Sequence, residues 1–208
     1  LMRRNLHYDW HWVWPTGTLT RTEDGGRLPF RSLFSTDQGE TFHFRGHAPM
    51  PEERNCDENM IVERSHGSLW LLNRMNYGIG ESFSRDQGRT WTEMKPSDIQ
   101  HTVSRFFISR LGSGKLLLIK HGQVDEKTRR RERLMAFLSG DDGKSWEGGL
   151  MIDERVQVSY PDAAQGADGT IYVLYDFERH GAKEILMAAF AEEDVAAGKP
   201  VSGKARFR

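Results

Sequence analysis

One spacing recurs three times in this chain and restricts its fold more than any other feature. SFSRDQGRTW at residues 82–91, FSTDQGETF at 34–42 and LSGDDGKSW at 138–146 each carry Ser-x-Asp-x-Gly-x-(Thr/Ser)-(Trp/Phe). The serines stand at positions 35, 84 and 139, in steps of 49 and 55 residues. Self-similarity on this scale marks a repeat architecture. The residue types say what each copy does. Asp bonds to backbone amides two or three residues on, and Gly accepts positive φ, so both sit where a chain reverses. The Ser or Thr hydroxyl closes the same turn, and the terminal Trp or Phe anchors it to the body of the domain. Strand-like runs precede the copies at Pro29–Phe34, Ile79–Phe83 and Leu134–Leu138. Each copy therefore reads as a stapled hairpin turn. Calcium binding is the weaker reading, because a turn offers too few oxygens for a hard cation.

A second element repeats alongside the first. RSHGSLWLLNR (64–74), LGSGKLLLIKHG (111–122) and GADGTIYVLYD (166–176) each join a Gly-bearing turn to a short apolar strand. The order is then inner strand, Gly turn, second strand, third strand, Asp turn, fourth strand. One unit spans about 56–95, the next about 103–152, a third opens at 156, and residues 1–47 supply part of a preceding one. Four antiparallel strands per roughly 50 residues, stacked radially, describe β-propeller blades. The sequence predicts an all-β propeller, one domain over residues 1–208 with about three and a half blades, and a single short helix at Ala191–Gly198. Propellers typically have 4–8 blades, and an open ring leaves strand edges and apolar faces in water. The expectation is a part of a longer protein rather than a ring closed by a second copy.

Charge narrows the function classes. Lys and Arg number 29 against 30 Asp and Glu among 208 residues, so no global field points to nucleic acid or an anionic membrane. The basic run KTRRRER (127–133) reads as a solvated loop with room for one inward arginine. Cys56 is the only cysteine, which excludes a disulfide framework and a cysteine-rich metal site. No apolar run approaches the ~18 residues of a membrane span, and LMRRNLHYDW at the start lacks the apolar core of a signal peptide. The compartment stays open. Nothing calls for a cofactor or metal.

The repeated turns resemble the Asp boxes of sialidases, the BNR-repeat glycosidases built on a six-bladed propeller. The resemblance covers about residues 30–195, the C-terminal half of such a domain. In that family a tyrosine attacks the anomeric carbon, a glutamate takes its proton, three arginines clamp the substrate carboxylate, and an aspartate is the acid/base. ENMIVERSHGSLWLLNR (58–74) is similar to the family's glutamate, Gly turn and Asn-Arg ending. The resemblance thus implies Glu58 as base and Arg74 as a clamp residue, with Glu63 the competing glutamate beside the turn. RERLMAFLSGDDGKSW puts Arg131 eight residues before Ser139, where the third arginine is expected, and Arg133 is the fallback. SYPDAAQGADGTIYVLYD puts Tyr160 in the nucleophile position, with Tyr172 and Tyr175 on the next strand. Arg105, opening an inner strand, is a further candidate for the axis. Asp162, two residues after Tyr160, is a weaker candidate, and His101 and His121 read chiefly as loop and strand-end residues. Gly26-Arg27-Leu28-Pro29 resembles the motif of the first arginine, but its spacing and blade are wrong. The first arginine and the acid/base are then expected outside this stretch, and the chain alone is expected to turn over little or nothing.

The residue set is chemically coherent. A phenol of pKa about 10 attacks poorly at neutral pH unless a carboxylate takes its proton. A neutral nucleophile suits a sugar that already carries a carboxylate beside the reacting carbon, and tyrosine sialidases are known exceptions to the two-carboxylate rule. Planar guanidinium groups meet a carboxylate bidentately. The expected partner is a sialylated or other acidic glycan. A non-catalytic propeller that binds glycans or proteins, and a polysaccharide lyase on the same scaffold, remain the alternatives.

Overall fold

The computed structural model describes residues 30–37, 39–49, 51, 54–122, 127 and 130–207, with backbone alone at 30–31 and 54–57. Arg27 lies outside the described residues, as does the side chain of Cys56. Thirteen strands and one helix are present among them. β1 (Phe30–Phe34) pairs with β2 (His43–Ala48). β3 (Arg54–Glu63), β4 (Leu69–Met75), β5 (Gly78–Ser84) and β6 (Lys95–Pro96) form an antiparallel four-stranded sheet in sequence order. So do β7 (Phe107–Arg110), β8 (Leu116–His121), β9 (Glu132–Ser139) and β10 (Glu147–Val156). β11 (Val158–Gln165), β12 (Ile171–Phe177) and β13 (Glu184–Phe190) form a three-stranded sheet, and α1 (Glu192–Ala197) follows. These are the blades of an incomplete β-propeller. The short helix falls where the sequence places it, capped at Gly198 in the left-handed conformation.

Three apolar layers hold the blades together. In the two four-stranded blades the second strands, β4 and β8, read as unbroken apolar runs because both of their faces are buried, and successive side chains go to opposite layers. On β8, Leu116 and Leu118 join the layer shared with the second blade, whereas Leu117 and Ile119 join the layer shared with the last one. On β4, Trp70 and Leu72 face the third blade while Leu69, Leu71 and Met75 face the first. A fully buried leucine contributes about 2 kcal/mol, against about 1 kcal/mol net for a turn hydrogen bond. Blade-to-blade packing therefore dominates stability, and the Asp turns fix how the blades meet.

The turns are nearly superimposable in their bonding. Ser35, Ser84 and Ser139 each accept the N–H of the box glycine at 2.8 Å and donate to Asp Oδ1 at 2.7, 2.8 and 2.8 Å. The same Oδ1 accepts the N–H of Thr41, Thr90 or Ser145 at 2.9 Å, and Oδ2 accepts that residue's hydroxyl. These hydroxyl bonds, foremost, hold the Asp86 and Asp141 carboxyls down at about 2.

The boxes of the second and third blades also dock on the blade before them. Trp91 is buried in the layer between the first two blades, and its ring N–H donates to Gly88 O at 3.1 Å. Ser32 Oγ donates to the same carbonyl at 3.1 Å. Trp146 packs into the next layer in the same way. Asp142 accepts from Ser65 of the second blade and, at 2.7 Å, from Arg110. Phe42, expected as an anchor, is exposed; the described part of its blade has only two strands.

Gly143 is the tightest of these contacts. Its φ is +84°, and a Cβ there would stand 2.3 Å from the Trp70 ring. Gly114 has a similar φ of +90° but open space around it. Gly114→Ala should cost only the backbone penalty of about 1 kcal/mol, and Gly143→Ala should cost about 3 kcal/mol once overpacking is added. Urea unfolding of the two variants checks this, and equal losses would mean that the box does not dock tightly on Trp70.

Candidate active site

Three of the expected residues converge although 102 residues separate the first from the last. Glu58 precedes the Asn59↔Asn73 pair and Arg74 follows it, so they face each other at the end of the β3–β4 ladder. They extend the face that buries Met60 with Leu72 and Val62 with Trp70. Apolar pairs at the rim thus give way to an ionic pair at the mouth. Arg74 Nη1 donates to Glu58 Oε2 at 2.8 Å, with both side chains largely buried.

Tyr160 arrives from the opposite side. Its Oη donates to Glu58 Oε1 at 2.5 Å and accepts from Arg74 Nη1 at 3.2 Å. A bulge aims it. Ser159 pairs with Asp176 and Asp162 with Leu174, so Tyr160 and Pro161 together oppose one residue of β12. Bulges often re-aim side chains beside active sites. Tyr160 has φ +55°, a left-handed conformation uncommon for an aromatic residue.

Arg131 turns inward from the basic run, while Lys127, Arg130 and Arg133 are exposed. Its guanidinium carbon lies 5.8 Å from the centre of the Tyr160 ring, and Nη2 donates to Val103 O at 3.3 Å. Burial, then the like charge of Arg74, lowers its pKa. Arg105 does not join this cluster. It starts the segment leading to β7 and reaches past the bulge to Asp162, at 3.1 Å. The competing Glu63 is exposed at the far end of β3, where its carbonyl accepts from Arg110.

Sequence reasoning missed Arg179. Its guanidinium carbon stands 4.0 Å from the Tyr160 ring centre, and Nε and Nη2 donate to Asp176 Oδ2 at 3.0 and 2.5 Å. The only local signal is its i+3 spacing from Asp176; the contact with Tyr160 depends on the bulge. Among the described residues, one carboxylate, Glu58, thus faces Arg74 and Arg131, while Asp176 neutralises Arg179. The mouth carries net positive charge and suits an anionic ligand.

Beneath it lie two histidines, expected only as loop and strand-end residues. His101 and His121 are buried with stacked rings 5.2 Å apart. Their Nε2 atoms meet Ser104 O at 3.1 Å and Val158 O at 2.9 Å, which makes Nε2 the protonated nitrogen. Burial pushes His121 down to about 4 and His101 well below its ordinary value. Among the described residues, no group of three or more His, Cys, Asp or Glu is placed to hold a metal ion.

The histidine pair sets a pH dependence. The unfolded chain protonates His121 near pH 6.5, and the folded chain only near 4. Stability is therefore complete above about pH 6.5 and falls as the pH drops toward 4, by about 3 kcal/mol for His121 alone. Urea unfolding at pH 7 and 4.5 should show this loss above the range where the box aspartates titrate. A flat profile would mean that the imidazoles are not buried neutral.

A family model described as BNR repeat-like domain matches residues 5–173. Among solved structures, the intramolecular trans-sialidase of Ruminococcus gnavus in complex with oseltamivir carboxylate has 22% identity and a TM-score of 0.61. The match covers 79% of this chain and 38% of that one. The leech intramolecular trans-sialidase with 2,7-anhydro-Neu5Ac has 20% identity and a TM-score of 0.61, over 79% of this chain and 27% of that one. An α-L-arabinofuranosidase from Fusarium graminearum with an iminosugar inhibitor has 14% identity and a TM-score of 0.53, over 83% of this chain and 56% of that one. The chain thus spans well under two thirds of each. No curated protein matches the sequence. Among the described residues no helix is long and apolar enough to cross a membrane. With the repeated turns, the blade order and the family match in agreement, the chain belongs to the BNR repeat-like family and has a glycoside-hydrolase-like β-propeller fold.

Proposed function

We propose that this chain carries the nucleophile half of a retaining exo-α-sialidase-like centre acting on a terminal sialic or related acidic sugar. The observation that carries the reading is the three-way contact of Tyr160, Glu58 and Arg74, with the phenol 2.5 Å from the carboxylate. In this reading Tyr160 Oη attacks the anomeric carbon while its proton passes to Glu58. The bond to the leaving-group oxygen breaks, leaving a glycosyl–tyrosine that water then hydrolyses. Arg74 and Arg131 take the sugar carboxylate, which leaves a neutral attacker free of charge repulsion. Leaving-group protonation is assigned to an acid outside the described residues. The activity of a closed propeller is thus proposed for the longer architecture, and binding for this chain.

Calorimetric titration with an unsaturated sialic acid analogue, which is flattened at the reacting carbon and keeps the carboxylate, tests the reading. The chain should bind it. Arg74→Ala should weaken binding at least 100-fold, since a charge-assisted bidentate contact is lost and Glu58 is left unpaired. Binding that survives Arg74→Ala within a few-fold would remove Arg74 from the clamp. No binding by a folded wild-type chain would remove this sugar class from the proposal.

A further inference from the structure

Tyr160 is held in a conformation it would not adopt alone. Its φ is +55°, and such strain persists only where surrounding structure over-determines it. Pro161 bars the right-handed alternative, because a residue before proline is disfavoured in the α region. The remaining constraint is a small relay on β11 and β12. Ser159 Oγ donates to Asp176 Oδ1 at 2.6 Å, and Asp176 Oδ2 accepts two bonds from Arg179. Arg179 Nη2 also reaches Ser159 Oγ at 3.3 Å. This fixes a guanidinium 4.0 Å above the Tyr160 ring.

The placement has a chemical consequence. As the phenolic O–H bond lengthens toward Glu58, electron density in the ring rises and a cation over the face is attracted more strongly. An interaction that strengthens along the reaction lowers its barrier. Arg74 and Arg131 are committed to a substrate carboxylate in the proposed reaction, whereas Arg179 is held by Asp176 and stays with the ring. We propose that Arg179, locked by Asp176 and Ser159, is a positioning residue that keeps the Tyr160 ring aimed at Glu58 and assists proton transfer between them. The inference rests on the reading of Tyr160 and Glu58 as nucleophile and base.

A test independent of the sugar uses benzenesulfonyl fluoride on the full chain. Tyr160 Oη attacks sulfur, the S–F bond breaks, fluoride leaves, and the phenolic proton goes to Glu58. Peptide mapping by mass spectrometry gives the rate at each tyrosine, with exposed Tyr172 as internal reference. Tyr160 should label faster than Tyr172, and Glu58→Gln should slow it at least tenfold. Arg179→Gln should also slow it at least tenfold at an unchanged thermal midpoint, and Arg179→Lys should recover at least half the rate. Asp176→Asn, which frees the guanidinium, should fall between wild type and Arg179→Gln and serves if that variant is unstable. A Tyr160 rate within twofold of wild type in Arg179→Gln, with Glu58→Gln slow, overturns this inference and leaves the nucleophile reading standing. Arg179→Lys as slow as Arg179→Gln also overturns it, because packing rather than charge would be the cause. Wild-type Tyr160 no faster than Tyr172, or unaffected by Glu58→Gln, overturns the nucleophile reading itself.

Discussion

Two-sided burial of the second strand in the two four-stranded blades, β4 and β8, is the constraint on which the rest of the molecule depends. Leu116 to Ile119 and Leu69 to Leu72 send alternate side chains into different layers, so each of these two blades is covered by a neighbour on both faces. This makes the chain radial. The face of the last sheet carries exposed Leu174, Ile185 and Met187. The Asp boxes add little energy, but those of the second and third blades set Trp91 and Trp146 against the preceding blade and so fix the angle at which apolar layers meet. That angle matters because three blades meet at the candidate site: Glu58 on β3 and Arg74 on β4 from the second blade, Arg131 just ahead of β9 from the third, and Tyr160 on β11 from the last.

The site works by contrast with its support. Apolar pairs fill the blade faces up to Met60 and Leu72, and ionisable groups begin one step nearer the axis. Two buried imidazoles, kept neutral by burial, lie near Arg131 and add no charge to the site. An arrangement with more guanidinium than carboxylate is poor as a structural salt bridge and apt for capturing an anion. In the proposed reaction the hydrogen bond from the phenol to Glu58 is the path of proton transfer, a role that a binding-only site would not require.

What was legible in the sequence was what local chemistry decides. The box turns follow from Ser, Asp and Gly at fixed offsets, and Glu58 meets Arg74 because one hairpin with a Gly67 turn separates them. Tyr160 is legible through the family pattern, yet its direction is set by the bulge at Tyr160 and Pro161, which no alternation of residues reveals. Arg179 is unreadable for the same reason: it meets Tyr160 only because the bulge shifts the register of β11 against β12. Arg105 shows the converse. It lies just ahead of the inner strand β7, and the Asp162 carboxylate takes its charge. The burial of His101 and His121 was equally hidden, since polar residues near strand ends are ordinarily solvated.

The central claim is that Tyr160 is the residue that bonds to the sugar. A fluorinated sialosyl fluoride tests it most directly, because fluoride departs without protonation and the trap does not need an acid from outside the described residues. After incubation of the full chain, peptide mapping should find the sugar on Tyr160, and Glu58→Gln should slow its appearance. A sugar attached to a carboxylate instead, or none attached to a folded chain that binds the reagent, would contradict the account.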